Sequence, residues 1–123
     1  MRSRTTLPAG VNTPAAARAF VRDAVARDAA VPVDDLTLVV SELVTNAVVT
    51  GTDSIDLEIV VDGTRVLVEV AERTPPATPL APIAPLVDDA PERGLMLVSR
   101  LSRRWGVRRD GMRKVLWADL AAS

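Results

Sequence analysis

The stretch Leu36–Thr50, LTLVVSELVTNAVVT, constrains this chain most. It holds no Gly or Pro and is long enough for about four helical turns. Wound as a helix, it places Leu36, Val39, Val40, Leu43, Val44, Ala47 and Val48 on one broad apolar face that needs a large surface to cover it. Glu42 and Asn46 are four apart and sit one above the other on a flank of that face. Leu38 and Val49 lie beyond them. A mid-helix Asn is a poor helix former because its amide competes for backbone hydrogen bonds. A carboxylate and an amide stacked on an apolar helix point to a polar site in a pocket. The same pattern also fits a half-exposed pair at the edge of a core helix.

A chain of 123 residues fits one domain. At 48% hydrophobic residues it can build a core, and at 2% aromatic that core must be Val, Leu, Ala and Ile. There is no Cys, which excludes disulfides, thiolate metal sites and a Cys nucleophile. There is no His, which excludes an imidazole base, a Ser-His-Asp triad and most transition-metal sites. Chemistry is left to carboxylates, Arg, hydroxyls or a hard cation such as Mg²⁺. The opening MRSRTTLPAG lacks the apolar run of a secretion signal, and no apolar stretch reaches membrane-span length. The expectation is a cytoplasmic protein that does not touch membrane.

The net charge of −1 hides an uneven distribution. Arg93 to Lys114 holds eight basic residues and one acid, while the remainder is acidic. Such a run suits phosphates, an acidic partner or nucleic acid, or forms a solvated face. For nucleic acid the chain offers only Trp105 and Trp117 for stacking beside Arg100, Arg103, Arg104, Arg108, Arg109 and Arg113, which makes it the least favoured partner.

In chain order, residues 1–6 read as an edge strand or a free end, with Arg2–Leu7 alternating before Pro8-Ala9-Gly10. Thr13 caps a helix with Pro14 at its first position, running to Ala29 with Ala17, Phe20, Val21, Ala24 and Val25 on one face. Asp34 or Asp35 caps the central helix. Ser54–Val61 and Arg65–Ala71 alternate with period two across Asp62-Gly63, a hairpin. Residues 74–91 carry six of the nine prolines. Pro76, Pro79, Pro82 and Pro85 recur every three, the polyproline II period, which aligns Leu80, Ile83 and Leu86 on a stiff apolar ridge. Glu92–Arg103 is a helix burying Leu95, Val98 and Leu101. Trp105–Arg109 and Lys114–Leu120 form a second hairpin across Asp110-Gly111. This order predicts an α+β fold, a two-layer sandwich with helices on one face of a mostly antiparallel sheet.

Taken together, VVSELVTNAV (39–48), VEVAERTP (68–75), ERGLMLV (92–98) and KVLWADL (114–120) resemble the small GHKL-type, histidine kinase-like ATPase domain of bacterial anti-sigma factors, the serine-kinase type. LPAG (7–10) and AAARAFVRDAV (15–25) fit its first strand and helix, so the likeness runs from about Leu7 to Leu120. The resemblance implies that Asn46 holds Mg²⁺ through its side-chain oxygen and that the metal bridges nucleotide phosphates. It implies that Glu42, one turn earlier, orients or deprotonates the attacking group. Glu72 and Thr74 fall in the adenine-binding run, and Arg93, Gly94 and Leu95 in the phosphate-side run. The implied cofactors are ATP and Mg²⁺. The implied partners are a sigma factor and an antagonist protein whose serine accepts the phosphoryl group, and such domains often form homodimers.

The chain departs from the family pattern at several points. Glu72 is one methylene longer than the usual Asp, and Arg73 and Thr74 add bulk after it. Glu92 stands where a glycine would let backbone N–H groups approach a phosphate. Val115 replaces a hydroxyl residue, which removes a polar adenine contact, and the glycine-rich lid becomes the Pro-periodic segment. Each lost hydrogen bond costs about 0.5–1.5 kcal/mol, so together they weaken the nucleotide site. Two readings follow: a regulatory ATP-binding protein with serine kinase chemistry, or a nucleotide-independent protein-interaction module built on a degenerate ATP site.

Overall fold

A computed structural model of the chain describes residues 1–28, 30–49, 52–73, 90–111 and 113–121, with only the backbone described at 73, 90–94 and 110. In chain order the elements are β1 (Arg2–Pro8), α1 (Thr13–Ala24), α2 (Val33–Val49), β2 (Ser54–Asp62), β3 (Arg65–Arg73), α3 (Ala90–Leu101), β4 (Arg104–Asp110) and β5 (Arg113–Ala121). The strands form one antiparallel sheet in the order β1-β2-β3-β5-β4. Three helices pack on one of its faces, so the expected α+β two-layer architecture is the observed one. Residues 1–6 belong to an edge strand: Arg2 to Pro8 pair with Val60 to Ser54, and the Met1 amine donates to the Val61 carbonyl at 2.8 Å.

Period-two alternation sets the inner face. Ile55, Leu57 and Ile59 on β2, Val66, Val68 and Val70 on β3, and Leu116 and Ala118 on β5 are fully buried under the helices. The central helix supplies Leu36, Val39, Val40, Leu43, Val44 and Ala47, all without solvent contact, while Val48 packs half-buried beside them. Ala17 and Val21 of α1 and Leu95 and Val98 of α3 complete the core, which is built entirely of Ala, Val, Leu and Ile among the described residues. Each fully buried Val, Leu or Ile contributes about 1.5–3 kcal/mol.

Details at the helix ends differ from the sequence expectation. The helix α1 stops at Ala24, with turns following, not at Ala29. Its flanking residue is Asn12, whose side chain makes no cap. Thr13 lies inside the helix, and its buried hydroxyl accepts from the Gly10 N–H and donates to the Pro8 carbonyl, both at 2.7 Å. It ties down the loop that enters the helix. Asp34 and Asp35 occupy the first turn of α2, where their charge suits the dipole. Gly63 and Gly111 take the left-handed φ that their hairpin turns demand. The Pro-rich lid segment, apart from the Ala90–Pro91 backbone, lies outside the described residues, as does its Leu80/Ile83/Leu86 ridge. No helix among the described residues is long and apolar enough to cross a membrane.

Candidate functional site

The topology gathers several elements at one end of the sheet. The helix α2 ends at Val49 and leads through a short connection to the start of β2 at Ser54, so its C-terminal turns lie over that end. There β3 and β4 finish and β5 begins, because neighbouring strands are antiparallel. The helix α3 delivers the chain to the start of β4 at the opposite end, so its own first two turns, which hold Arg93 and Gly94, lie back toward the same place.

On α2, Arg18 of α1 donates to the Ser41 hydroxyl at 2.9 Å, which marks the flank turned to α1. Glu42 and Asn46 follow at about 100° and 140° around the helix, on the other flank. Both are half-buried, and no side-chain hydrogen bond joins either to another described residue. The helix α3 also packs on α2. Beyond the pair, Leu38 and Val49 are exposed. The stripe read from the sequence is therefore a real surface of the helix, with a carboxylate one turn before an amide oxygen. Among the described residues no group of three or more acids, His or Cys could hold a metal. A single amide oxygen completed by phosphate oxygens and water is a donor set that suits Mg²⁺.

On β3 the alternation that buries Val66, Val68 and Val70 continues to Glu72, which is only 4% exposed. A buried carboxylate requires a partner. The register sets Glu72 between Ile55 on β2 and Lys114 on β5, and the Lys114 ammonium lies 3.4 Å from its Oε1. Both side chains are largely withdrawn from solvent. This corrects the expectation for Val115. It pairs with Ala71 and faces the other side of the sheet, so Lys114, not Val115, stands beside Glu72. The signal was available, since an inward Glu72 and an antiparallel neighbour fix which residue sits opposite, but only once the register is known.

Thr74 lies outside the described residues, as does the side chain of Arg93, and Gly94 is described as backbone. Leu95 is buried in the core and fastens α3 to it.

The opposite face of the sheet carries ion pairs. Arg2 and Arg4 reach Glu58, Arg113 reaches Asp56, Arg108 reaches Glu69, and Arg65 and Arg104 both reach the buried Asp119. The Arg65 bond is 2.8 Å; that hydrogen bond first, and the Coulombic pull of Asp119 second, raise the guanidinium's pKa above its ordinary value. A cavity of about 170 Å³ lies among Arg4, Asp56, Glu58, Glu69, Arg108 and Arg113, away from Glu72. Three arginines of the basic run are thus spent on neutralising acids of the sheet.

The chain matches the histidine kinase-like ATPase domain over residues 7–120. No curated protein matches it. All of it superposes, with a TM-score of 0.72 and 19% sequence identity, on the crystal structure of the RsbU and RsbW domains of Rv1364c from Mycobacterium tuberculosis, and it spans 33% of that chain. At that identity the likeness is one of fold. The match to the family covers nearly every element described above, from the end of β1 into β5, and on it the chain belongs to the histidine kinase-like ATPase domain family.

Proposed function

We propose that residues 1–123 form one regulatory ATP-binding domain of the anti-sigma kinase type. It binds Mg-ATP beside Glu42 and Asn46 and works by binding a sigma factor or its antagonist protein. The observation that carries this reading is the half-open Glu42–Asn46 flank of α2, set over the sheet end where Glu72 is buried and α3 begins. The likeness to a structure that contains an RsbW domain supports the choice of partner class. Nucleotide binding supplies a transferable phosphoryl group and a cation that offsets its charge.

The chain's own residues have distinct tasks. Asn46 offers a neutral oxygen ligand to the cation. Glu42 aligns an incoming serine hydroxyl of the antagonist and accepts its proton, since phosphoryl transfer depends mainly on positioning and charge neutralisation. Glu72, with Thr74 after it, receives the base. Arg93, Gly94 and Leu95 form the phosphate side, Arg93 by charge and Leu95 by holding α3 in place.

The test is a thermal-shift titration. The wild-type chain is expected to gain several degrees at millimolar Mg-ATP, because a ligand that binds only the folded state stabilises it by mass action. Asn46→Ala is expected to lose that gain. No shift at millimolar nucleotide overturns the reading. It would favour the nucleotide-independent interaction module, a second reading supported by the Lys114 ammonium already paired with Glu72.

A further inference from the structure

Lys114 has no role in the reading above, and its placement is unusual. Lys is almost never buried unless paired. Here its side chain is 12% exposed on the helix-facing side of the sheet, directly across from Glu72. The next member of the same cross-strand row, Arg109 on β4, is exposed, so Lys114 is the cation drawn inside.

The pair is an ion pair of loose geometry. Its 3.4 Å separation exceeds the roughly 2.7–2.9 Å of a direct charge-assisted hydrogen bond. An ammonium carries three donors, so the contact with Glu72 leaves Lys114 with donors to spare. Around them the surface is apolar: Ile55 on one side, with Val70 and Leu116 one pair further in, all fully buried. In such surroundings a polar contact is stronger, and an unmatched one costs more, than in water. A donor and an acceptor are therefore fixed side by side at the sheet end where the base is placed.

We infer that Lys114 is a specificity-determining residue that reads the base together with Glu72. Glu72 accepts from the exocyclic amine of adenine, and the Lys114 ammonium donates to the adjacent ring nitrogen N1. Adenine presents that donor and acceptor side by side. Guanine and hypoxanthine present the reverse, a carbonyl next to N1–H, and set oxygen against carboxylate and N–H against ammonium. The arrangement supplies from Lys114 the polar base contact that the outward-facing Val115 cannot make. The inference rests on the nucleotide-binding reading proposed above.

The experiment is calorimetric titration of the wild-type chain with Mg²⁺ and, in turn, ATP, inosine triphosphate and 1-deaza-ATP, in which N1 is replaced by C–H. ATP is expected to bind about tenfold more tightly than either analogue, the scale of one hydrogen bond to a charged group. Lys114→Met is expected to weaken ATP by about tenfold and to bring ATP and 1-deaza-ATP to equal affinity. Equal binding of ATP and 1-deaza-ATP by the wild type overturns the inference and leaves the ATP-binding reading intact. Tighter binding of inosine triphosphate than ATP does the same. If no nucleotide binds, both fall together. Because the decisive comparison uses the unaltered protein, a Lys114→Met chain that fails to fold does not remove the test.

Discussion

Glu42 and Asn46 share a flank but not a task, and substitution separates them. Asn46 is assigned to holding the cation, so its loss acts on binding. Glu42 is assigned to the incoming hydroxyl, so Glu42→Gln keeps the size and removes the proton acceptor. We expect Glu42→Gln to bind Mg-ATP within about twofold of wild type while transfer to an antagonist serine falls by about 10²–10⁴, the usual range for a general base. Parallel calorimetry and radiolabel transfer check both halves; a large loss of binding would assign Glu42 to the metal instead. At the same scale, Arg65 shows how charge acts on the fold. Its guanidinium pKa is raised on folding, so the stability it contributes is complete below the ordinary Arg range and is lost only as pH rises through the folded value. Its titration therefore adds no pH dependence near neutrality.

Among the elements, α2 and the two hairpins were legible because each depends on its own residues. A Gly- and Pro-free run with a broad apolar face is a helix wherever it packs, and alternation broken by Asp62-Gly63 or Asp110-Gly111 is a hairpin in any sheet. The end of α1 was less legible, because Val25 continues the apolar face and is buried at 3% exposure although the helix has already ended. Which residue of β5 stands beside Glu72 was not legible without the register. It depends on β5 lying between β3 and β4, a pairing between distant segments that no local period encodes. The ion pairs of the outer face were hidden for the same reason. Asp56 on β2 meets Arg113 on β5 across β3, and Glu69 on β3 meets Arg108 on β4 across β5. Strands lie about 4.8 Å apart, so such pairs need long side chains and low ground beneath them. Ala71 and Val115 supply it, and both line the cavity below. Ala71→Leu is expected to fill the space over which the Asp56–Arg113 pair crosses and displace that pair, at a cost of about 1–3 kcal/mol in urea unfolding, the range for added methylenes that force their neighbours to shift. An unchanged midpoint would show that the pairs cross clear of Ala71.

For the whole molecule, the basic run matters less than its count suggests. Arg104, Arg108 and Arg113 are engaged with Asp119, Glu69 and Asp56, and the molecule as a whole carries a net charge of −1. Phosphate binding by those three would have to break their pairs, which leaves Arg100, Arg103 and Arg109 as the exposed cations of the run among the described residues. Fluorescence anisotropy with duplex DNA near physiological salt is therefore expected to show no binding below about 10⁻⁴ M, the weak limit of non-specific association. Micromolar, salt-sensitive binding would return nucleic acid to consideration.

The strand order has a consequence for how the chain comes into being. The segment β5 is the last of the eight elements among the described residues, yet it sits inside the sheet and joins β3 along its full length, from Arg65 with Ala121 to Arg73 with Arg113. A polypeptide made from its N-terminus must hold β3 with an unsatisfied edge until those residues have been added, and β4 has no neighbour before then. Folding is thus gated by the latest-made strand, and an interruption of synthesis ahead of Arg113 leaves a sticky half-sheet suited to a chaperone rather than to a regulatory partner.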